Sequence, residues 1–247
     1  MEIERVSRRA RTALAAFVCA GSLLTARCGA TVRYVDPADA PITNDGLLLS
    51  YAGSQILLQR ETIYRPGIDE YRFSAGGIFG GAAVAIQAGD ERWLTALSPG
   101  EAVGGGLPWS GLFGAFARTQ CGSGQTTVCQ TTGPWAGGQR YMALRFRDER
   151  GGAYYGWARV GRPGGAADGP YAALLLYDSA LEDTPGLPIL AGSRRSLLDD
   201  LKLALRAAGG LSDLTAEDAT LLDHAGLPGQ VDIADAARLI SIWAGKG

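Results

Sequence analysis

The chain has 247 residues, is 47% hydrophobic and 19% charged, and carries a formal charge of −2. That length fits one medium domain with a smaller one, and the composition excludes a disordered chain. The acidic balance gives no electrostatic reason to bind nucleic acid.

The N-terminal stretch reads as a secretory signal peptide over residues 1–30. Arg5, Arg8, Arg9 and Arg11 form a basic region, and Thr12 to Ala26 is an apolar run too short to span a bilayer. Small residues follow, with cleavage expected after Ala26 or Ala30. Arg27 stands before Cys28 where lipidation needs a small residue, so no lipid anchor is expected. The leader carries five arginines against two glutamates, so its removal takes the net charge from −2 to −5. A secreted (extracellular or periplasmic) protein with no stable membrane span follows.

Residues 31–192 read as strands and turns, and the 36 glycines suit short strands with frequent reversals. Val32 to Val35, Leu47 to Tyr51, Ile56 to Tyr64, Ile68 to Phe73 and Ala82 to Gln87 are the first predicted strands, with Trp93 to Leu97 a short further one. Asn44-Asp45-Gly46 punctuates the early loop, and Gly76 to Gly81 reads as a flexible glycine-dense segment. Gly104 to Phe116 carries Trp109, Phe113 and Phe116 among three glycines. Those aromatics either close the end of the core or form a ligand platform. The core reading is favoured, and Trp109 and Phe113 are the candidate glycan contacts under the other.

Once residues 1–30 are set aside, Cys121 and Cys129 remain, in a segment rich in Gly, Ser and Thr. In an oxidising compartment they predict a local disulfide.

The clearest strand pair is 141–160. Met142, Leu144 and Phe146 alternate with Tyr141, Ala143, Arg145 and Arg147, then Asp148 to Gly152 supplies the turn. Tyr155, Trp157 and Arg159 alternate in the return strand. Gly161 to Gly169 is a turn-rich excursion, and Tyr171 to Tyr177 is an apolar run long enough for a strand covered on both faces. The fold class expected is mainly β, an antiparallel β-sandwich (jelly-roll-like or similar), followed by a small all-α module.

Residues 193–247 change to helical spacing. Ser196 with Asp199, Thr215 with Asp218 and Asp232 with Asp235 mark three N-termini, and Gly209-Gly210, Gly226 and Gly245 mark the ends.

Two resemblances follow from quoted segments. Gly-Gly-Gln-Arg-Tyr-Met-Ala-Leu-Arg-Phe (137–146), Tyr-Tyr-Gly-Trp-Ala-Arg-Val (154–160), the Thr-Pro-Gly segment (184–186) and Ile-Leu-Ala-Gly (189–192) resemble a group of largely uncharacterised secreted bacterial proteins. That resemblance implies export and a β-rich fold over about residues 45–192. Gly229-Gln230-Val231-Asp232-Ile233-Ala234-Asp235-Ala236 resembles the dockerin family, whose paired loop-helix repeats bind calcium and dock onto cohesin partners. The resemblance implies a protein partner for residues 193–247 and makes Asp232 and Asp235 candidate calcium ligands. With Gly229 at loop position 6, positions 1, 3 and 5 fall on His224, Gly226 and Pro228, which are poor calcium ligands. The loop is degenerate, and Asp232 and Asp235 read equally as N-terminal helix carboxylates; no cofactor is expected.

Catalysis finds no constellation. His224 is the sole histidine, and no phosphate-binding glycine loop precedes a helix. Asp69, Glu70, Asp90, Glu91, Asp148, Glu149, Glu182 and Asp183 are numerous enough for a two-carboxylate glycosidase, but most fall in apparent turns. The functional expectation is a secreted non-catalytic binding or structural protein that docks through its C-terminal module. The alternative is a carbohydrate-binding module or a glycoside-active enzyme.

Overall fold

The computed structural model describes residues 30–66, 68–87, 89, 92–122, 129–135, 138–163, 174–223, 225 and 229–245. The leader up to 29, residues 171–173 of the apolar run, the excursion from 164, Asp90, Glu91, His224, Gly226 and Pro228 lie outside the described residues.

Thr31–Gly247 is one compact unit. In chain order its strands are β1 (Val32–Val35), β2 (Ala40–Pro41), β3 (Leu47–Tyr51), β4 (Ser54–Arg65), β5 (Ile68–Phe79), β6 (Ala83–Ala85), β7 (Ala96–Leu97), β8 (Ala102–Val103), β9 (Trp109–Ser110), β10 (Gly114–Gly122), β11 (Cys129–Thr132), β12 (Arg140–Arg147), β13 (Ala153–Gly161), β14 (Leu175–Glu182) and β15 (Ile189–Leu190). Three helices follow: α1 (Leu197–Ala208), α2 (Ala216–Leu222) and α3 (Ile233–Trp243).

The strands form antiparallel sheets. An eight-stranded sheet runs β1-β14-β13-β12-β6-β9, with β2 beside β14 and β7 beside β12. A five-stranded sheet runs β11-β10-β5-β4-β3, and β8 with β15 makes a short ribbon. The main apolar cluster takes Ile56 and Leu58 from β4, Phe73 from β5 and Phe116 from β10, and Met142, Leu144 and Phe146 from β12. It therefore lies between the two sheets, as in a sandwich.

The 141–160 pair is the centre of the larger sheet, with Ala143 opposite Trp157 and Arg145 opposite Tyr155. Both of its faces are covered. Met142, Leu144 and Phe146 face the inter-sheet core. Ala143, Tyr155 and Trp157 face a second cluster with Val103, Ile189 and Ala191. Trp157 meets Tyr141 edge to face at 5.2 Å, and its indole N–H donates to the Ser193 carbonyl at 2.9 Å. A third cluster joins the helices to Leu190 of the ribbon, through Leu197, Leu201, Leu222 and Leu239.

The helix caps follow the spacing. Ser196 and Thr215 each accept from the amide three residues on, and Asp232 and Asp235 form a reciprocal capping box. α2 stops at Leu222, short of the Gly226 expected from the sequence.

β10 and β11 are strands that the sequence reading did not place, and two further segments differ from expectation. The glycine-dense stretch is strand as far as Phe79, and the reversal is confined to Gly80 and Gly81, both at positive φ. Gly77 pairs with Ile56 of β4 and must be glycine, because a Cβ there would lie 1.9 Å from the Ala82 carbonyl oxygen. The other segment is β14, which runs to Glu182, beyond the expected apolar run. Its Asp178 is tolerated mid-strand because Arg159 grips it with Nε and Nη2, at 2.8 and 3.0 Å, and the Tyr34 hydroxyl donates to it at 2.9 Å. Among the described residues no helix is long and apolar enough to cross a membrane.

Candidate functional site

The outer face of the five-stranded sheet carries the polar half of three strands. In β5, Phe73 and Ala75 point into the core, so Glu70, Arg72 and Ser74 point outward. Register places Glu61 and Arg118 on either side of Arg72, and Gln59 and Ala115 on either side of Ser74. A bulge between Ala115 and Ala117 turns both Phe116 and Ala117 inward and returns Arg118 to the outer face.

Arg92 to Leu94 runs beside the start of β10. The Arg92 carbonyl accepts from the Ala115 amide at 2.7 Å, and the Leu94 amide donates to the Ala115 carbonyl at 2.9 Å. This places Arg92 and Trp93 along the side of a groove of about 630 Å³, lined also by Gln59, Glu61, Arg72, Ser74, Phe113 and Arg118. The Phe113 ring lies over Gly76, where a Cβ would come within 2.9 Å of it. Glycine there makes room for an aromatic laid on the sheet.

Glu70 lies beside the arginines, 1% exposed. Its Oε1 is 3.3 Å from Arg72 Nη2 and 3.2 Å from Arg118 Nε, and Gln120 donates to its Oε2 at 3.4 Å. A carboxylate so surrounded fixes the two guanidinium groups to the sheet. Gln59 donates to Glu61 at 2.9 Å. Ser74 Oγ and Arg72 Nε are buried and have no hydrogen-bond partner within the protein. Among the described residues Thr95 Oγ1, Trp135 Nε1, Arg145 Nε and Glu182 Oε2 are in the same condition, so it is not special to the groove.

The other expected site residues lie elsewhere. Trp109 is half-buried on the far face of the eight-stranded sheet. It stacks on Tyr155 at 5.7 Å, donates its indole N–H to the Gly104 carbonyl at 3.0 Å, and lies under the Arg145 guanidinium at 5.1 Å. Burial pushes the Arg145 pKa down, with Arg147 adding repulsion. Trp109 and Phe113 thus serve different faces, and Phe116 and Trp135 are core, edge to face at 4.9 Å. A second cleft, of about 520 Å³, lies between Gly104–Gly106 and α3, with Tyr155, Arg238 and Trp243 on its walls.

Cys121 and Cys129 are opposite each other in β10 and β11 and are joined as a disulfide. Asp235 accepts from the Ala225 amide at 2.6 Å and the Asp232 amide at 2.9 Å, Asp232 accepts from the Ala234 amide at 2.7 Å, and Asp223 accepts from the Gly229 amide. These amide contacts are those of a helix N-terminus and its leading loop. Among the described residues no group of three or more His, Cys, Asp or Glu side chains could hold a metal. Asp69 and Glu70 lie in β5, within the strand expected over Ile68 to Phe73, and Glu182 is the last residue of β14.

No family model, curated protein or solved structure matches this chain. Function must therefore be argued from the site alone.

The groove residues other than Phe113 carried no local sequence signal. They come from four separated segments, and their common face is set by strand pairing. The outward alternation Gln59, Glu61 and Glu70, Arg72, Ser74 was the available clue.

Proposed function

We propose that the chain is an exported, non-catalytic binding protein and that the groove over the five-stranded sheet takes a glycan. The observation that carries this is the pairing of aromatic and polar side chains along one groove: Trp93 and Phe113 beside Gln59, Ser74 and Arg72. A sugar ring offers the same two surfaces, C–H edges for an aromatic face and hydroxyls for polar groups. The fixed ion cluster around Glu70 supports binding over bond cleavage, because that carboxylate is committed to two guanidinium groups. Export is supported by the arginine-rich apolar leader and by the disulfide.

A glycan array probed with the full chain tests the reading. Binding is expected, and Trp93→Ala should weaken it by about tenfold, the loss of one stacked ring. Silence across the array, or unchanged affinity in Trp93→Ala, would refute it.

Docking of a protein partner through residues 193–247 is a second reading. It is supported by the dockerin resemblance and by Leu211, Ile233 and Trp243, large apolar side chains exposed in the helical segment. Cohesin-type partners titrated against the full chain and against an Ile233→Asp, Trp243→Asp variant would test it. Equal response of the two would count against it.

A further inference from the structure

We infer that the groove over the five-stranded sheet selects an acidic saccharide, whose carboxylate or sulfate is held by Arg72 and Arg92. This rests on the glycan reading above and adds the chemical class of the ligand. Among the described residues three guanidinium groups line the groove, those of Arg72, Arg92 and Arg118, against one lining carboxylate, Glu61. Glu70, beside them, offsets a second positive charge through its contacts with Arg72 and Arg118. One positive charge is left over, on a chain whose net charge is −2. The surplus is therefore a property of this face and not of the surface at large.

The arrangement of donors points the same way. Arg72 contacts Glu70 through its Nη2 at 3.3 Å, and its Nε has no acceptor within the protein. Ser74, 4% exposed, stands two residues along the same strand face with its hydroxyl unpaired. The Arg72 side chain is 34% exposed, so the open part of its guanidinium can meet a ligand oxyanion in a charge-assisted contact stronger than one to a neutral hydroxyl. Arginine also presents its N–H groups as a planar fork that matches a carboxylate or sulfate edge. Arg92, exposed at the groove side, completes the clamp from the segment that bridges to Ala115. Trp93, its chain neighbour, also lines the groove.

Calorimetric titration of the full chain with three oligosaccharides of equal length tests this: a polyuronate, a sulfated glucan and a neutral glucan. An acidic probe should bind about tenfold more tightly than the neutral one, as expected for one charge-assisted contact. Polyuronate above sulfated glucan would assign a carboxylate ligand, and the reverse order a sulfate. Arg92→Gln should erase the preference for the acidic probe and leave the neutral one unchanged. Arg72→Gln should weaken acidic and neutral probes alike, because Arg72 lines the groove floor and also holds Glu70, so the exposed Arg92 variant is the decisive one. Raising salt from about 0.05 M to about 0.5 M should weaken the acidic probes selectively. Equal binding of neutral and acidic probes, or an Arg92→Gln effect shared by both, would overturn the inference and leave the glycan reading standing. Failure of all three probes together with silence on the array would overturn both.

Discussion

Trp157→Ala tests the layered construction most directly. The side chain is 1% exposed and sits between the centre of the eight-stranded sheet and the segment leading into α1. A buried tryptophan removes about 150–250 Å² from water, worth roughly 4–6 kcal/mol at about 25 cal/mol per Å². Truncations of buried aromatics to alanine cost about 3–5 kcal/mol in practice. The lost hydrogen bond to the Ser193 carbonyl adds about 1 kcal/mol. Trp157→Phe separates the two contributions: it retains most of the packing and should cost about 1–2 kcal/mol. Urea unfolding of the oxidised protein, followed by far-ultraviolet circular dichroism, measures both. A loss under about 1 kcal/mol for the alanine variant would refute the account of Trp157 as the link between sheet and helical cover.

Gly76→Ala should push Phe113 off the sheet, because the new Cβ would lie 2.8 Å from the Phe113 Cα and 2.9 Å from its ring. The expected cost is about 1–3 kcal/mol together with weaker glycan binding, and unchanged stability and affinity would contradict the packing described. Burial raises the Glu182 pKa, opposed by the Thr184 amide. Its stabilising contribution is therefore complete below the unfolded carboxyl range and is lost as pH rises through the raised folded value. Glu182→Gln should raise the melting temperature at neutral pH and flatten its dependence on acid, and a lowered melting temperature there would reverse the sign of the argument. Reducing the Cys121–Cys129 bridge should cost about 2–3 kcal/mol by chain entropy, measured by unfolding with and without reductant.

Sequence carried the local elements and lost the non-local ones. The 141–160 pair and the caps at Ser196, Thr215 and Asp232 were legible because each is written within a few consecutive residues. Ser196 and Asp199 meet because a helical turn brings positions three apart together. The strand extensions were not legible. Glycines 76 and 77 read as loop because nothing nearby reveals that Phe113 and the Ala82 carbonyl occupy their missing side-chain space. Asp178 breaks the apolar spacing, and its burial depends on Arg159 and Tyr34 across the sheet. The groove was invisible for the same reason. Arg72 and Arg118 meet Glu70 only after β5 and β10 pair, and Arg92 reaches them only by running along the bulged start of β10. Trp109 and Phe113, close in sequence, were read together, yet the turn between β9 and β10 sends them to opposite sides of the molecule.

The sheet orders carry a consequence for how quickly this chain can acquire its structure. β3, β4 and β5 pair with their immediate neighbours in sequence, so half of the sandwich can assemble as soon as those residues are available. The eight-stranded sheet cannot. β1 is held by β14, and Arg33 meets Asp183 across 150 positions. Closing so long a loop must precede any reward from the contact, which slows folding. Until β14 arrives, the meander has its apolar face open to water, and folding should pass through a stage in which the five-stranded sheet is formed and its partner is not. Amide-exchange labelling during refolding would show protection appearing in β4 and β5 before β1.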